Sequence, residues 1–262
     1  MIRAMRTAAT GMKAQQLNVD IIAHNLANVN TTGFKKSRIE FQDLFYYHAK
    51  VAGKPRASGE ESPASLEIGY GTAPVATLRM FSQGEMIASG NALDLAIRGD
   101  GFFRVLLPQG GEAYTRDGSF KVSGEGRLMT TDGYTLDPDI SFPGGTSHVT
   151  ISDDGVVAVT IADDTTPQII GQIELVRFVN PSGLQAIGQN LLVETPASGA
   201  PTFGTPGSDG MGSLGQGYLE VSNVDIVEEM IALIAAQRAY ELNSKAIKAS
   251  EEMMSMANNL AR

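Results

Sequence analysis

The stretch YLEVSNVDIVEEMIALIAAQRAYELNSKAIKASEEMMSMANNLAR, residues 218–262, contains neither glycine nor proline. In a chain with 29 glycines and 11 prolines such a gap marks one long helix, because either residue would break it. Ser222 or Asn223 is the expected cap, and Asp225 and Glu228 fall in a first turn where the helix dipole favours negative charge. The predicted rod approaches about 40 residues, on the order of 60 Å. Ile226, Leu233, Tyr240, Ile247, Met254 and Ala261 recur every seventh residue, with Met230 one turn beyond Ile226. The row three positions later, Glu229, Ala236, Asn243, Ser250 and Ala257, is small or polar.

The other end of the chain is built of the same material. Only Gly11 precedes Gly33, and the first proline is Pro55. Met5, Met12, Val19 and Leu26 repeat every seven residues, and Ala8, Ile22 and Val29 follow three later, with Gln15 as the polar interruption. An isolated helix is marginal in water unless its apolar stripe is covered, so the two terminal helices are expected to pair as a coiled coil. Leu17, Ile21, Val227, Ile231 and Ile234 lie off those seams. Helices of further copies are the expected cover for them, and an intramolecular bundle is the alternative.

Between the ends the pattern changes. Ala92–Ile97, Phe102–Leu107, His148–Ile151, Val156–Ile161 and Ile169–Val179 read as strands, punctuated by Asp-Gly turns at Asp100, Asp117, Asp132 and Asp154. Tyr114–Phe120 reads as a hairpin tip and Ala197–Gly217 as a Gly-rich return loop. The fold class is therefore α+β: long N- and C-terminal helices and a central antiparallel β-rich domain. The expected divisions are 1–32 for the first helix, 33–70 for a connector, 71–204 for the β body, 205–222 for a return connector and 223–262 for the last helix.

Composition narrows the function. Lys and Arg number 20 against 29 Asp and Glu, a net charge of -9 that argues against a nucleic-acid partner. Residues 1–56 carry nine basic and three acidic side chains and residues 57–217 carry seven and nineteen, an asymmetry that favours attraction between copies. Without cysteine there is no disulfide and no thiolate site, and His24, His48 and His148 lack metal-ligand spacing. Gly99-Asp100-Gly101 is not followed by the Lys-Ser or Lys-Thr of a phosphate loop, and no nucleophile elbow occurs. No cofactor, metal or catalytic residue is expected. The first twenty residues lack the unbroken apolar stretch of a secretory leader, and no apolar run is long enough for a membrane helix.

After the first helix stands Asn25-Leu26-Ala27-Asn28-Val29-Asn30-Thr31-Thr32-Gly33-Phe34-Lys35. Its asparagines and Thr31 can satisfy the last carbonyls, Gly33 can turn left-handed and Phe34 can pin the turn. This segment closely resembles the signature of the bacterial flagellar rod and hook proteins. Ser222-Asn223-Val224-Asp225 with Gln237-Arg238-Ala239-Tyr240-Glu241 resembles the C-terminal half of the same signature. Gln83-Gly84, Leu95–Phe103 and Tyr114–Phe120 are similar to the distal rod branch of that family.

The resemblance implies a non-enzymatic structural subunit that is exported through the flagellar type III apparatus without a cleaved leader. Such a subunit polymerises into a rigid hollow shaft across the periplasm and peptidoglycan. Implied partners are the chain itself, proximal rod proteins, the hook protein, the P-ring and L-ring proteins, and the export apparatus and rod cap; no nucleic acid or membrane insertion is implied. The expected interface residues are Met5, Met12, Val19, Ile22, Leu26, Asn28, Gly33, Phe34, Ile226, Met230, Leu233, Tyr240, Ile247 and Met254. Asn243, Lys245 and Glu252 are expected on polar faces toward a channel. By resemblance the Tyr46–Ser65 segment, with Gly53, Pro55 and Pro63, would stiffen the shaft. A proximal rod paralogue or a hook-type protein is the near alternative, and a secreted β-domain enzyme or a coiled-coil adhesin the distant ones.

Overall fold

The computed structural model describes residues 2–50, 64–108, 110–162, 164–208 and 210–260. The chain forms two compact units, one of Met1–Leu26, Ser37–Leu78 and Asp225–Arg262, the other of Ala27–Lys36 and Arg79–Val224.

The first unit holds both long helices, α1 (Ile2–Ala27) and α2 (Ile226–Leu260). The cap of α2 is Asp225, not Ser222 or Asn223: its Oδ1 accepts from the amides of Val227 at 2.8 Å and Glu228 at 3.1 Å. Asn223 is already committed elsewhere, accepting from Lys36 N at 2.7 Å and donating to Met80 O at 2.9 Å. The helix accordingly starts at Ile226 and runs 35 residues. The helices meet at two levels. Asn25 Nδ2 donates to Glu229 Oε2 at 3.1 Å, and the bare Cα of Gly11 faces the Asn243 side chain, which a Cβ there would meet at 3.0 Å. Going up one helix is going down the other, so they run antiparallel. In the same unit, Ser37–Asp43 pairs with Thr72–Arg79, and Tyr46–Lys50 pairs with Leu66–Gly69 in the register Tyr46 opposite Gly69. Thr10 Oγ1 accepts from Thr72 N at 3.3 Å, tying this ribbon to α1.

The second unit is β throughout its body. Its largest sheet has nine strands, and a separate antiparallel sheet joins Thr146–Ile151, Val156–Ile161 and Asp164–Gln172. Leu95, Ile97, Phe103, Val105, Phe120, Leu128, Leu136, Ile173 and Leu214 form the main core, fully or almost fully buried. Phe102, Tyr114, Val176 and Phe178 form a second cluster, with Tyr114 edge-on to Phe178 at 4.8 Å. The turns at Asp132-Gly133 and Asp154-Gly155 occur as read, with φ of 90° and 82° at the glycines.

Three expectations change. The Ile169–Val179 run divides, because Ile173 is buried and the chain crosses there from the three-stranded sheet to Leu175–Arg177 of the large one. Tyr114–Phe120 is no exposed hairpin tip: Glu112–Thr115 pairs with Phe102–Leu106, Phe120–Val122 pairs with Leu128–Thr130, and Arg116 between them is buried. The Ala197–Gly217 stretch contributes strands Thr202–Gly204 and Ser213–Gln216 and places Met211 and Leu214 in the core. Its glycines permit that approach, since a Cβ on Gly212 would come within 2.5 Å of the Arg98 carbonyl.

Replacing Asp225 with Ala should lower stability by about 1 kcal/mol, the usual worth of an N-cap, whereas Asp225→Asn should retain most of it. Urea denaturation followed by far-ultraviolet circular dichroism measures both.

Candidate assembly surfaces

The segment Thr31–Lys35, which ends the first signature, is gripped inside the second unit from three sides. Gly33 takes φ 67°, donates to Glu220 O at 2.8 Å, and has no room for a side chain, since a Cβ would lie 2.6 Å from Asp117 N. Thr32 Oγ1 donates to Asp117 Oδ1 at 2.9 Å, and Asn190 Nδ2 donates to Thr32 O at 3.0 Å. Phe34 is buried behind them.

At the centre of this grip lies a buried carboxylate. Glu220 Oε1 accepts from Lys35 Nζ at 2.5 Å and from the Gly84 amide at 2.8 Å, while its Oε2 accepts from Arg116 Nη1 at 3.2 Å. All three charged side chains are at most 4% exposed. Burial pushes the Lys35 and Arg116 pKa values down, and the Glu220 charge opposes that push in both. Burial also raises the Tyr114 phenol, helped by its hydrogen bond to Glu112. The cluster ties Lys35 of the first signature, Arg116 of the central motif and Glu220 before α2 to one another. Its geometry suits fastening.

Next to the cluster, a recess of about 160 Å³ beside Arg116 is lined by Phe81, Phe102, Phe178 and Pro181 with Asp100 and Arg177. Among the described residues no three His, Asp or Glu side chains could together hold a metal, and no helix is long and apolar enough to cross a membrane.

The helices of the first unit carry the other surface. Of the expected interface residues, Ile22 is buried, whereas Met5, Met12, Val19, Leu26, Leu233, Ile247 and Met254 are half-buried. Ile226, Met230 and Tyr240 are exposed, and Asn28 is half-buried in the second unit. On α2 the buried residues are Glu229, Ala236 and Ser250, members of the small and polar row, with Asn243 half-buried against Gly11 and not on an open polar face. Val227, Met230, Ile231 and Ile234 remain between 51% and 65% exposed. Their spacing puts them on one face, roughly 150° around the helix from Glu229. Tyr46 is exposed on the ribbon beside Phe45, Tyr47, Leu66 and Ile68, while Gly53, Pro55 and Pro63 lie outside the described residues.

Three family profiles cover most of this architecture. The flagella basal body rod protein family matches residues 5–35, the flagellar hook protein FlgE/F/G D1 domain matches 96–159, and the flagellar basal body rod FlgEFG protein C-terminal family matches 216–260. The chain is 53% identical over 264 residues to flagellar basal-body rod protein FlgG of Borreliella burgdorferi, with all of both chains aligned. It is 46% identical to the protein of that name from Caulobacter vibrioides, covering 99% of each, and 39% identical to that of Bacillus subtilis over the whole of both. The chain belongs to the flagellar basal-body rod protein family. As a member of the rod family it is a structural protein of the flagellum and not an enzyme. The first profile ends at Lys35, and the last, which begins at residue 216, includes Glu220.

Sequence reading missed Glu220, Lys35 and Arg116 as a unit, and Asn25 with Glu229. A signal for the second pair was present: Ala4, Gly11, Asn18 and Asn25 form a small or polar heptad row in the first helix that matches the one in the last.

Glu220→Ala would leave two buried cations without their shared counter-charge, and should cost about 3–5 kcal/mol in urea unfolding. Arg238→Ala, which breaks only the exposed pair with Glu241, should cost less than about 1 kcal/mol.

Proposed function

We propose that this chain is a structural subunit of the distal rod of the bacterial flagellar basal body. Copies of it polymerise into a stiff hollow shaft that carries torque toward the hook and forms part of the export channel. The observation that carries this reading is the apolar stripe Val227, Met230, Ile231 and Ile234 on α2. A lone chain leaves that stripe in water, whereas stacked copies would bury it in a helical tube.

In that tube the terminal helices associate as a coiled coil. Met5, Met12, Val19, Ile22, Leu26, Ile226, Met230, Leu233, Tyr240, Ile247 and Met254 form its seams within and between copies, and Asn28, Gly33 and Phe34 brace the corner after α1. An open helical assembly needs two different surfaces on each subunit, and the net charge of +6 over residues 1–56 beside the acidic body supplies a further complementary pair. The Tyr46–Ser65 segment, with Tyr46, Gly53, Pro55 and Pro63, braces neighbours and keeps the shaft straight. Proximal rod proteins, the hook protein, the P-ring and L-ring proteins, the rod cap and the type III export apparatus are the partners that this position supplies, and the rod crosses the periplasm and peptidoglycan.

Two measurements test this. Ile231→Ser with Ile234→Ser should abolish tubes seen by electron microscopy of the concentrated protein. The monomer's stability should shift by less than about 1 kcal/mol, because both side chains are exposed in it. Tubes of normal yield from that variant would defeat the proposal. Deletion of residues 50–64 should leave tubes that form but bend more, measured as a shorter persistence length.

A further inference from the structure

The two places where α1 and α2 meet share a numerical property. Asn25 with Glu229 and Gly11 with Asn243 each add to 254, so both contacts belong to one antiparallel register, two heptads apart on either helix. In that register the row Ala4, Gly11, Asn18, Asn25 runs level with Ser250, Asn243, Ala236, Glu229. Three of the four α2 members are buried, and so is Asn25. Apolar pairs would have held the helices more firmly. Small and polar ones do something different.

A seven-residue repeat tolerates slippage by one repeat, about 10 Å, because each apolar residue then meets the next of its kind. Here α2 has 35 residues and α1 has 26, so α2 has length to spare for sliding. Moved one heptad, Asn25 would stand level with Ala236 and Asn18 with Asn243. Glu229 would then lose the amide it bonds, and Asn243 would lose the glycine that makes room for it. Asn25 is held from its other side too, accepting from Ser37 N and donating to Ser37 O, both at 2.9 Å, so it cannot follow Glu229.

We infer that the Asn25–Glu229 hydrogen bond and the Gly11–Asn243 fit are a register key: they select one axial alignment of the terminal helices and so fix where the α2 apolar stripe lies within the first unit. The key acts within a single chain and does not depend on assembly.

Because the full chain has no cysteine, introduced pairs are its only thiols. Ala4→Cys with Ser250→Cys reports the observed register, and Ala4→Cys with Ala257→Cys reports the slipped one, each read as the initial rate of cross-linking by a short bis-maleimide. With Asn25 and Glu229 intact, the first pair should react at least about tenfold faster. In an Asn25→Leu/Glu229→Leu background the ratio should fall toward one, while Glu229→Gln, which keeps an acceptor for Asn25, should hold it. Circular dichroism accompanies each variant. Should the leucine pair lose helix, Glu229→Ala carries the same test. A native ratio in whichever of the two stays helical, or equal rates in the unaltered chain, overturns the proposal.

Discussion

The governing constraint in this molecule is the way its two terminal helices pair. They meet through Asn25 with Glu229 and Gly11 with Asn243, and α2 buries Glu229, Ala236 and Ser250 while Val227, Met230, Ile231 and Ile234 face outward. A soluble globular protein does the reverse, placing its apolar stripe inside. The four exposed side chains are each worth about 1.5–3 kcal/mol on full burial. Unspent in one chain, that driving force is available to hold copies together.

The second unit has a fastening of its own. Glu220 receives Lys35 and Arg116 where water is excluded, so the first signature, the central motif and the strand before α2 are fastened at one point. A buried ion triad of this kind contributes little net stability compared with apolar packing, but it is costly to break and specific in geometry. The left-handed Gly33, with no space for a side chain, makes the same corner intolerant of substitution. Together they fix the end of the first signature beside the central motif.

Much of this was legible before any coordinates. The absence of Gly and Pro after Tyr218 gave α2 to within a few residues, and the left-handed turn at Gly33 followed from its place after a helix. What was not legible has physical causes. Hydrophobic periodicity marks what is to be buried eventually, not what one chain buries by itself, so the apolar rows drew attention from the small and polar row that α1 covers. The Glu220 cluster joins residues 104 and 185 positions apart, and nothing in a lone Glu, Lys or Arg announces such a partner. Asp225 took the cap from Asn223 because Asn223 was already bonded to Lys36 and Met80. Glycines in Ala197–Gly217 serve close packing of backbone as much as flexibility, which composition alone does not distinguish.

The most direct test of the account is a side-chain-resolution electron cryomicroscopy map of tubes formed by the purified full chain. The account predicts that Val227, Met230, Ile231 and Ile234 lie against helices of neighbouring copies, with Glu229 still bonded to Asn25 of its own chain. A map in which those four side chains line a water-filled space, while the Glu229 to Ser250 row contacts the neighbours, would contradict it.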